Sequence, residues 1–541
     1  MKPGIDRFSR MDAARSLPRA FPAFLARFGN LTGIQELAIP VIASGRDAVV
    51  VAPAASGKTE AVLAPLFEEM AAIEDPRPQV GILYIVPTRA LANDIENRVR
   101  EPASAMKMSS RVRTGDRPSP VGRDHTDLLI TTPESFDSLL CRHPAAFDNL
   151  HAIVIDEAHL MDGTARGDQL RILIRRIQMK RSAARPRLIA VTATVGDPAG
   201  LGTRLFGERP EVVRDDRRRP LDATVSPDIP SALALLRSER LTKAIIFCNT
   251  RKKTEETAAL VLRTGPWPAE RVMVHHASLA RREREDVEKA FRYFEAGILV
   301  STSTMELGVD IGDVDAVVLF GAPETVASLQ QRVGRGCRRR DGMRAIFVPD
   351  GPGDEGKFAM LMNDVVEQAF PQSERLPDLS VAVQQIFSLL FENRKGLRRA
   401  TIRRILDPVA PGPVIDAIVD HLRTEGFLDE SAGEVLRASS RLMDMGERGR
   451  IHSNIADSAS IKVVDAGTGR TVGMVSARTA AGADVIIGGR NWTVTDASRG
   501  GVAVKATAGS GLESGASFGS NSGAGAFSRY LPPELRQGSA R

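Results

Sequence analysis

Short apolar runs recur along the first two hundred residues, each followed by a turn and a helical stretch. They are AVVVAP (48–53), VGILYIVP (80–87), DLLITTP (127–133), AIVID (152–156) and LIAVTAT (188–194). They are apolar on both faces, as strands buried in a parallel sheet are. A charged segment ending in proline, RDDRRRP (214–220), reads as a linker. The pattern then restarts with AIIFCN (244–249), VMVHH (272–276), GILVST (297–302), AVVLFG (316–321) and RAIFVP (344–349). Two α/β parallel sheets in tandem follow. Ligands of such sheets lie beyond the carboxyl ends of the strands, and the polar clusters of this chain fall there.

After about residue 375 the texture changes. Val414, Ile415, Ile418, Val419 and Leu422 hold helical spacing, then Gly426 turns the chain into Phe427 and Leu428. This predicts a small helical module up to about Arg450. Alternating residues and glycines from Ile461 to Val504 predict a short antiparallel β unit. Beyond Ala508 the chain is rich in Gly, Ser and Ala, which predicts a flexible tail.

The chain has 541 residues and a formal net charge of +6, which permits a nucleic-acid partner without requiring one. Cys141, Cys248 and Cys337 show no paired spacing. That excludes a disulfide framework or a zinc signature and fits a cytoplasmic protein. The first residues carry charges throughout and lack the apolar core of a signal peptide. No stretch approaches a membrane span.

The candidate chemistry sits at the strand ends. In HAIVIDEAH (151–159) an apolar strand runs directly into Asp156 and Glu157. Two adjacent carboxylates at the end of a buried strand are costly unless a metal ion and phosphates face them. APAASGKT (52–59) lies between a strand and a helix, where backbone N–H groups of Ala55, Ser56 and Gly57 can cradle phosphate. Lys58 then meets the β/γ-phosphates of ATP and Thr59 holds Mg²⁺. Ala52 and Ala55 stand where glycines are common, and the competing reading is a plain turn before a helix. Asp156 would hold Mg²⁺ through water, and Glu157 would orient or deprotonate the attacking water. In QQRVGRGCRRR (330–340), Arg332 and Arg335 are three apart on one face of a helix turn, from which two guanidinium groups can reach a γ-phosphate as arginine fingers; a basic patch facing nucleic acid is the competing reading. Arg339 and Arg340 read as a basic patch.

At this point the residues resemble superfamily two helicases of the DEAD/DEAH-box kind. IQELAIP (34–40) is similar to the glutamine motif, which makes Gln35 a reader of the adenine edge. PTRAL (87–91), TGD (114–116) and TTPES (131–135) resemble the strand-binding motifs of the first lobe, and TAT (192–194) the coupling motif. FCNTRK (247–252), HHASL (275–279) and STSTMELGVDIGDVD (301–315) resemble those of the second. HHASLARRERE, STSTMELGVDIGDVD, QQRVGRG and TATVGDPAGL are most similar to the large helicase-related, or Lhr-type, group, in a short form.

The resemblance implies two RecA-like lobes, 1–213 and 221–372. A winged-helix-like module at 373–450, a small β-rich module at 451–508 and a flexible tail at 509–541 follow. It implies strand contacts by Arg89, Thr114, Gly115, Thr132, Ser135, Thr250, Ser278 and Thr302. Gly308 and Asp310 would couple the second lobe to nucleotide. The local alternative for the hydroxyls is turn capping. The implied activity is an ATP- and Mg²⁺-dependent translocase or helicase moving 3′ to 5′ on single-stranded DNA, in repair or defence. Its lobes would close with Lys58 and Asp156 facing Arg332 and Arg335 across the triphosphate. RNA, a hybrid duplex, or a nucleotide-gated scaffold with a weakened ATPase are the alternatives. DNA contact by Arg398, Arg399, Arg403 and Arg404 is balanced against simple solvation, and Trp492 reads as core.

Overall fold

The structure is a computed structural model. It describes the chain except for residues 1–7, 54–55, 75–78, 116–124, 180–184, 194, 216, 218–219, 307–310, 337–341, 368–375, 432, 456–459, 477–483, 499–500, 507–524 and 537–541. It divides into two compact units, 1–217 with 371–457 and 522–541, and 218–370 with 458–521.

The first unit is built on seven parallel strands: β1 (Ala48–Val51), β2 (Val80–Ile85), β3 (Ser110–Arg113), β4 (Thr126–Thr131), β5 (Ala152–Ile155), β6 (Arg187–Thr192) and β7 (Glu211–Arg214). Their order is β3-β4-β2-β5-β6-β1-β7. Because every strand points the same way, the loops after β1, β2, β4, β5 and β6 emerge on one edge. Both faces of the sheet are covered by separate apolar clusters, one around Val50, Ile82 and Val154 and one around Val49, Leu83 and Ile153. Threonines recur at helix starts: Thr88, Thr132 and Thr164 each accept a backbone N–H from the first helical turn. Each such cap is worth about 1 kcal/mol.

The helical module of 379–438 packs on this same unit. Helix Leu379–Glu392 is followed by β14 (Leu397–Arg398), two helices (Arg399–Leu406 and Gly412–Thr424), β15 (Leu428–Ser431) and β16 (Val435–Ala438). The strands form a small antiparallel sheet, the arrangement of a winged helix. A buried polar network fastens the module. Arg176 reaches Asp137 at 3.0 Å, Ser388 at 2.9 Å and Glu392 at 2.5 Å, while Asp137 also accepts from Gln384 and pairs with His452. Burial pushes the Asp137 carboxyl up, but His452 and Arg176 outweigh it and hold the group below its ordinary value. Asp137, Cys141 and His452 converge as metal ligands would, yet the Arg176 guanidinium supplies the positive charge there. The tail expected to be flexible from 509 does not extend through 525–536. Phe527 and Tyr530 pack against Phe387 there, and Phe527 N–H donates to Asn454.

The second unit carries six parallel strands, β8 (Leu221–Val225), β9 (Lys243–Cys248), β10 (Val272–His275), β11 (Gly297–Ser301), β12 (Ala316–Phe320) and β13 (Met343–Val348), in the order β10-β11-β9-β12-β13-β8. A five-stranded sheet, β17 (Ser460–Asp465), β18 (Thr471–Ser476), β19 (Asp484–Ile487), β20 (Arg490–Ser498) and β21 (Gly501–Ala506), joins it through one apolar cluster. Trp492 is buried in that cluster and donates its indole N–H to the Ile487 carbonyl, so it is core.

Candidate nucleotide site and strand-facing loops

After β1 the chain reaches Gly57 in the left-handed region (φ +86°), which caps helix Lys58–Ala72. A Cβ there would lie 2.5 Å from the Gln35 amide nitrogen, so the loop needs glycine for both its dihedral and the close approach. Lys58 is buried and donates to the carbonyls of Ala52 (2.6 Å) and Pro53 (3.0 Å). Gln35 lies against the loop, donating to Gly57 O at 3.4 Å. Its carbonyl accepts Thr32 N–H in a reciprocal capping box at the start of helix Gly33–Ala43, so here it serves helix and loop. Ala55 lies outside the described residues.

Asp156 and Glu157 follow β5. The Tyr84 hydroxyl on β2 donates to Asp156 Oδ2 at 2.8 Å, and Glu157 N–H donates to Oδ1 at 2.9 Å. Burial first, then the neighbouring Glu157, pushes the Asp156 carboxyl up to about 6; Tyr84 and Lys58 oppose the shift. The phenol of Tyr84 is raised well above its ordinary value by burial and by Asp156, and Thr59 hydrogen-bonds to it. Glu157 has a left-handed backbone (φ +46°), uncommon for a non-glycine residue and costing of order 1 kcal/mol or more. Its Oε2 is buried, 3.6 Å from His159, and makes no hydrogen bond among the described residues; the same holds for Ser56 Oγ. His159 Nδ1 meets Thr192 Oγ1 at 2.8 Å, tying the carboxylate motif to the end of β6. Burial holds that imidazole below its ordinary pKa.

Two adjacent carboxylates beside a lysine and a threonine, with Glu157 and Ser56 oxygens that are buried and make no hydrogen bond among the described residues, suit Mg²⁺ and phosphate. The residues present therefore fit the group that the motifs imply. Lys58, Thr59, Asp156 and Glu157 lie together at this sheet edge.

In the second unit Arg332 and Arg335 lie at the end of helix Val326–Val333, both buried. Arg332 donates to Glu306 (2.6 Å) and Asn249 (2.9 Å), and Arg335 donates to the Glu306 carbonyl at 2.6 Å. Glu306 thus holds both arginines, a role missed in the sequence although it sits within STSTMELG. Gly308 and Asp310 lie outside the described residues, as do Asp116, Thr194, Cys337, Arg339 and Arg340.

The strand-facing candidates divide. Arg89 opens helix Arg89–Ala105, with its guanidinium beside Gly115: a Cβ there would stand 3.0 Å away. Thr114, Thr132, Ser278 and Thr302 are buried. Thr132 and Thr250 cap helices, and Thr132 also reaches Ser135 Oγ at 3.4 Å. Such helix starts also present backbone N–H groups suited to phosphate. Ser278 Oγ accepts from Arg251 at 2.9 Å. Arg166, not singled out in the sequence, clamps two of these loops. It pairs with Glu134 through two nitrogens and donates to the Pro87 carbonyl at 2.5 Å. Burial raises Glu134, but the Arg166 charge prevails and leaves its pKa lowered. In the winged-helix-like module Arg399 is held by Asp420 and Glu430, and Arg403 by Asp416, whereas Arg398 and Arg404 are exposed.

Residues 32–200 match the DEAD/DEAH box helicase family and residues 228–340 the helicase conserved C-terminal domain, together just over half the chain. The chain is 29% identical over 417 residues to the ATP-dependent helicase Lhr-Core of Methanothermobacter thermautotrophicus, covering 68% of this chain and 48% of that protein. It is 29% identical over 428 residues to the Lhr helicase/uracil glycosylase of Escherichia coli, covering 62% and 28%. The chain thus spans about half or less of the relatives it matches. Among solved structures, MrfA, a DUF1998 helicase bound to DNA, superposes with a TM-score of 0.73 at 24% identity, over 90% of this chain and 69% of that one. Lhr of Mycobacterium smegmatis bound to ssDNA and AMP-PNP gives 0.71 at 23%, over 82% and 63%. No helix among the described residues is long and apolar enough to cross a membrane. With the motif residues gathered on the sheet edges and both halves matched in order, the chain belongs to the superfamily two DEAD/DEAH-box helicases and is similar to their Lhr type.

Proposed function

We propose that this chain is an ATP-driven translocase that moves 3′ to 5′ on single-stranded DNA and unwinds DNA or DNA:RNA duplexes, serving repair or defence in the cytoplasm. The observation that carries the reading is the cluster of buried Lys58, Asp156 and Thr192 with half-buried Glu157 and His159 on one sheet edge. Lys58 exchanges its carbonyl partners for the β/γ-phosphates. Thr59 and Asp156 would hold Mg²⁺, which would screen phosphate charge. Glu157, whose Oε2 is buried and makes no hydrogen bond among the described residues, orients the attacking water or takes its proton. His159 carries the state of that carboxylate pair to Thr192. Arg332 and Arg335, preset by Glu306, act as arginine fingers.

The DNA preference is supported by the breadth of likeness to DNA-bound MrfA and ssDNA-bound Lhr. RNA is the second reading, favoured by the fold's likeness to Mss116p bound to ssRNA, with a TM-score of 0.54 over 75% of this chain. The test is ATP turnover and unwinding on tailed duplexes of DNA, RNA and hybrid, with both tail polarities. A 3′-tailed DNA or hybrid preference is expected. Preference for a 5′ tail overturns the polarity, and preference for RNA duplex the substrate. Strand-dependent nucleotide binding without turnover would make the chain a scaffold. Lys58→Ala should abolish turnover while strand binding stays measurable.

A further inference from the structure

The five-stranded C-terminal sheet has no part in the proposed ATP chemistry, yet it meets a strand-facing loop of its own unit. Edge strand β18 runs along residues 278–280. Met474 N–H donates to the Ser278 carbonyl at 2.7 Å and Ala280 N–H to the Val472 carbonyl at 3.3 Å. Between them a Cβ on Gly473 would stand 2.8 Å from the Ser278 carbonyl oxygen, so the strand closes on the loop only because that residue is glycine.

A second connection runs inside. Gly488 and Gly489, at the turn between β19 and β20, are both in the left-handed region and aim their N–H groups at the two Glu255 oxygens, each at 2.7 Å. Glu255 is fully buried on helix Arg251–Thr264 and faces His276 Nε2 at 2.7 Å. The other ring nitrogen, Nδ1, accepts Ser278 N–H at 3.2 Å. An acceptor at Nδ1 requires the ring proton on Nε2, where the carboxylate takes it. The chain of contacts is continuous from the turn through Glu255 and His276 to Ser278. Ser278 has its N–H, carbonyl and hydroxyl all engaged, the hydroxyl by Arg251 beside the Thr250 cap.

We propose that the C-terminal sheet is a positioning element for nucleic acid. Through Gly473 and the Glu255–His276 relay it sets Ser278, and with it Arg251, against a backbone phosphate of a single strand. This rests on the reading of Ser278 as a strand contact. Glu255 and His276 are positioning residues, since they act through Ser278. The relay requires a carboxylate, because an amide at position 255 would turn an N–H donor toward Gly488 or Gly489.

The experiment measures ATP turnover by the full chain against the concentration of an unstructured thirty-nucleotide deoxythymidine strand. The variants are Glu255→Gln, His276→Gln, Gly473→Ala, Ser278→Ala and each of the first three combined with Ser278→Ala. His276→Gln keeps a donor for Glu255 and loses the acceptor for Ser278 N–H; Gly473→Ala acts from the sheet side and spares the buried carboxylate. If Glu255→Gln does not fold, these two carry the test. Each of the three should raise the half-saturating strand concentration about tenfold, the size of one lost charge-assisted hydrogen bond, with strand-free turnover unchanged. Each double variant should be no weaker than Ser278→Ala alone, as for groups acting through one contact. Unmoved half-saturation, or multiplying losses in the doubles, overturns the inference while leaving the motor reading intact. A wild-type chain unstimulated by DNA or RNA fails that reading first and takes this inference with it.

Discussion

Replacing Glu157 by glutamine should stop the motor and at the same time make the resting protein more stable. The side chain that would handle the attacking water also raises the cost of ionising its neighbour. Asp156 is shifted from 3.8 to about 6, roughly two units, with burial as the larger cause and Glu157 as the second. Tyr84, Lys58 and the Glu157 N–H oppose these two causes, so removing the Glu157 charge relieves a cost on the order of 1 kcal/mol. The sign follows from linkage. A carboxyl whose folded pKa is raised costs stability once it ionises, so the cost is absent at low pH and complete above about pH 6. Glu157→Gln keeps the backbone N–H that serves Asp156 and removes only the charge. At pH 7.5, without nucleotide and with metal chelated, stability should rise by about 1 kcal/mol and the melting temperature by roughly 2 °C. The gain should shrink at pH 5, where Asp156 is already largely protonated. Multiple-turnover phosphate release should fall about a thousandfold or more, with strand binding retained. A melting temperature lowered equally at both pH values would refute the reasoning, because Glu157 would then be stabilising rather than straining its site.

Arg332→Lys keeps a charge but cannot span Glu306 and Asn249; turnover should drop about a hundredfold or more with ATP affinity within threefold, and near-normal turnover would remove Arg332 as a finger. Arg176→Ala leaves Asp137 and Glu392 without their shared cation, so urea unfolding should show a loss of about 3–5 kcal/mol; a loss under about 1 kcal/mol would show that the network does not hold the module. If Asp156 holds Mg²⁺ as proposed, it must ionise to do so; the half-saturating Mg²⁺ concentration should then rise up to about tenfold per pH unit below about 6, and a flat profile from 7.5 to 5.5 would contradict the shift.

The strands were legible where they are buried. All ten apolar runs are strands of the two parallel sheets, since a strand covered on both faces must be apolar throughout. The three others, β3, β7 and β8, read SRVR, EVVR and LDATV; they lie at sheet edges, where charge is tolerated and pattern fades. Lys58, Asp156 and Glu157 were legible because strand, turn and polar cluster are contiguous in sequence. Glu306 and Arg166 were not, because their roles exist only once distant loops meet. His452 pairs with Asp137 across 315 residues, and Gly488 with Glu255 across 233, separations that no local pattern encodes. Gln35 shows a different limit: the same Thr-x-x-Gln spacing serves a helix cap, and that is the contact the structure displays.

The central claim is that the Lys58, Asp156 and Glu157 cluster turns over ATP under control of a bound strand. The direct measurement is steady-state phosphate release by the full chain in excess ATP and Mg²⁺, with and without single-stranded DNA. Release well beyond one equivalent, strongly accelerated by the strand and absent in Lys58→Ala, is the predicted result; release that neither DNA nor matched RNA accelerates would contradict it.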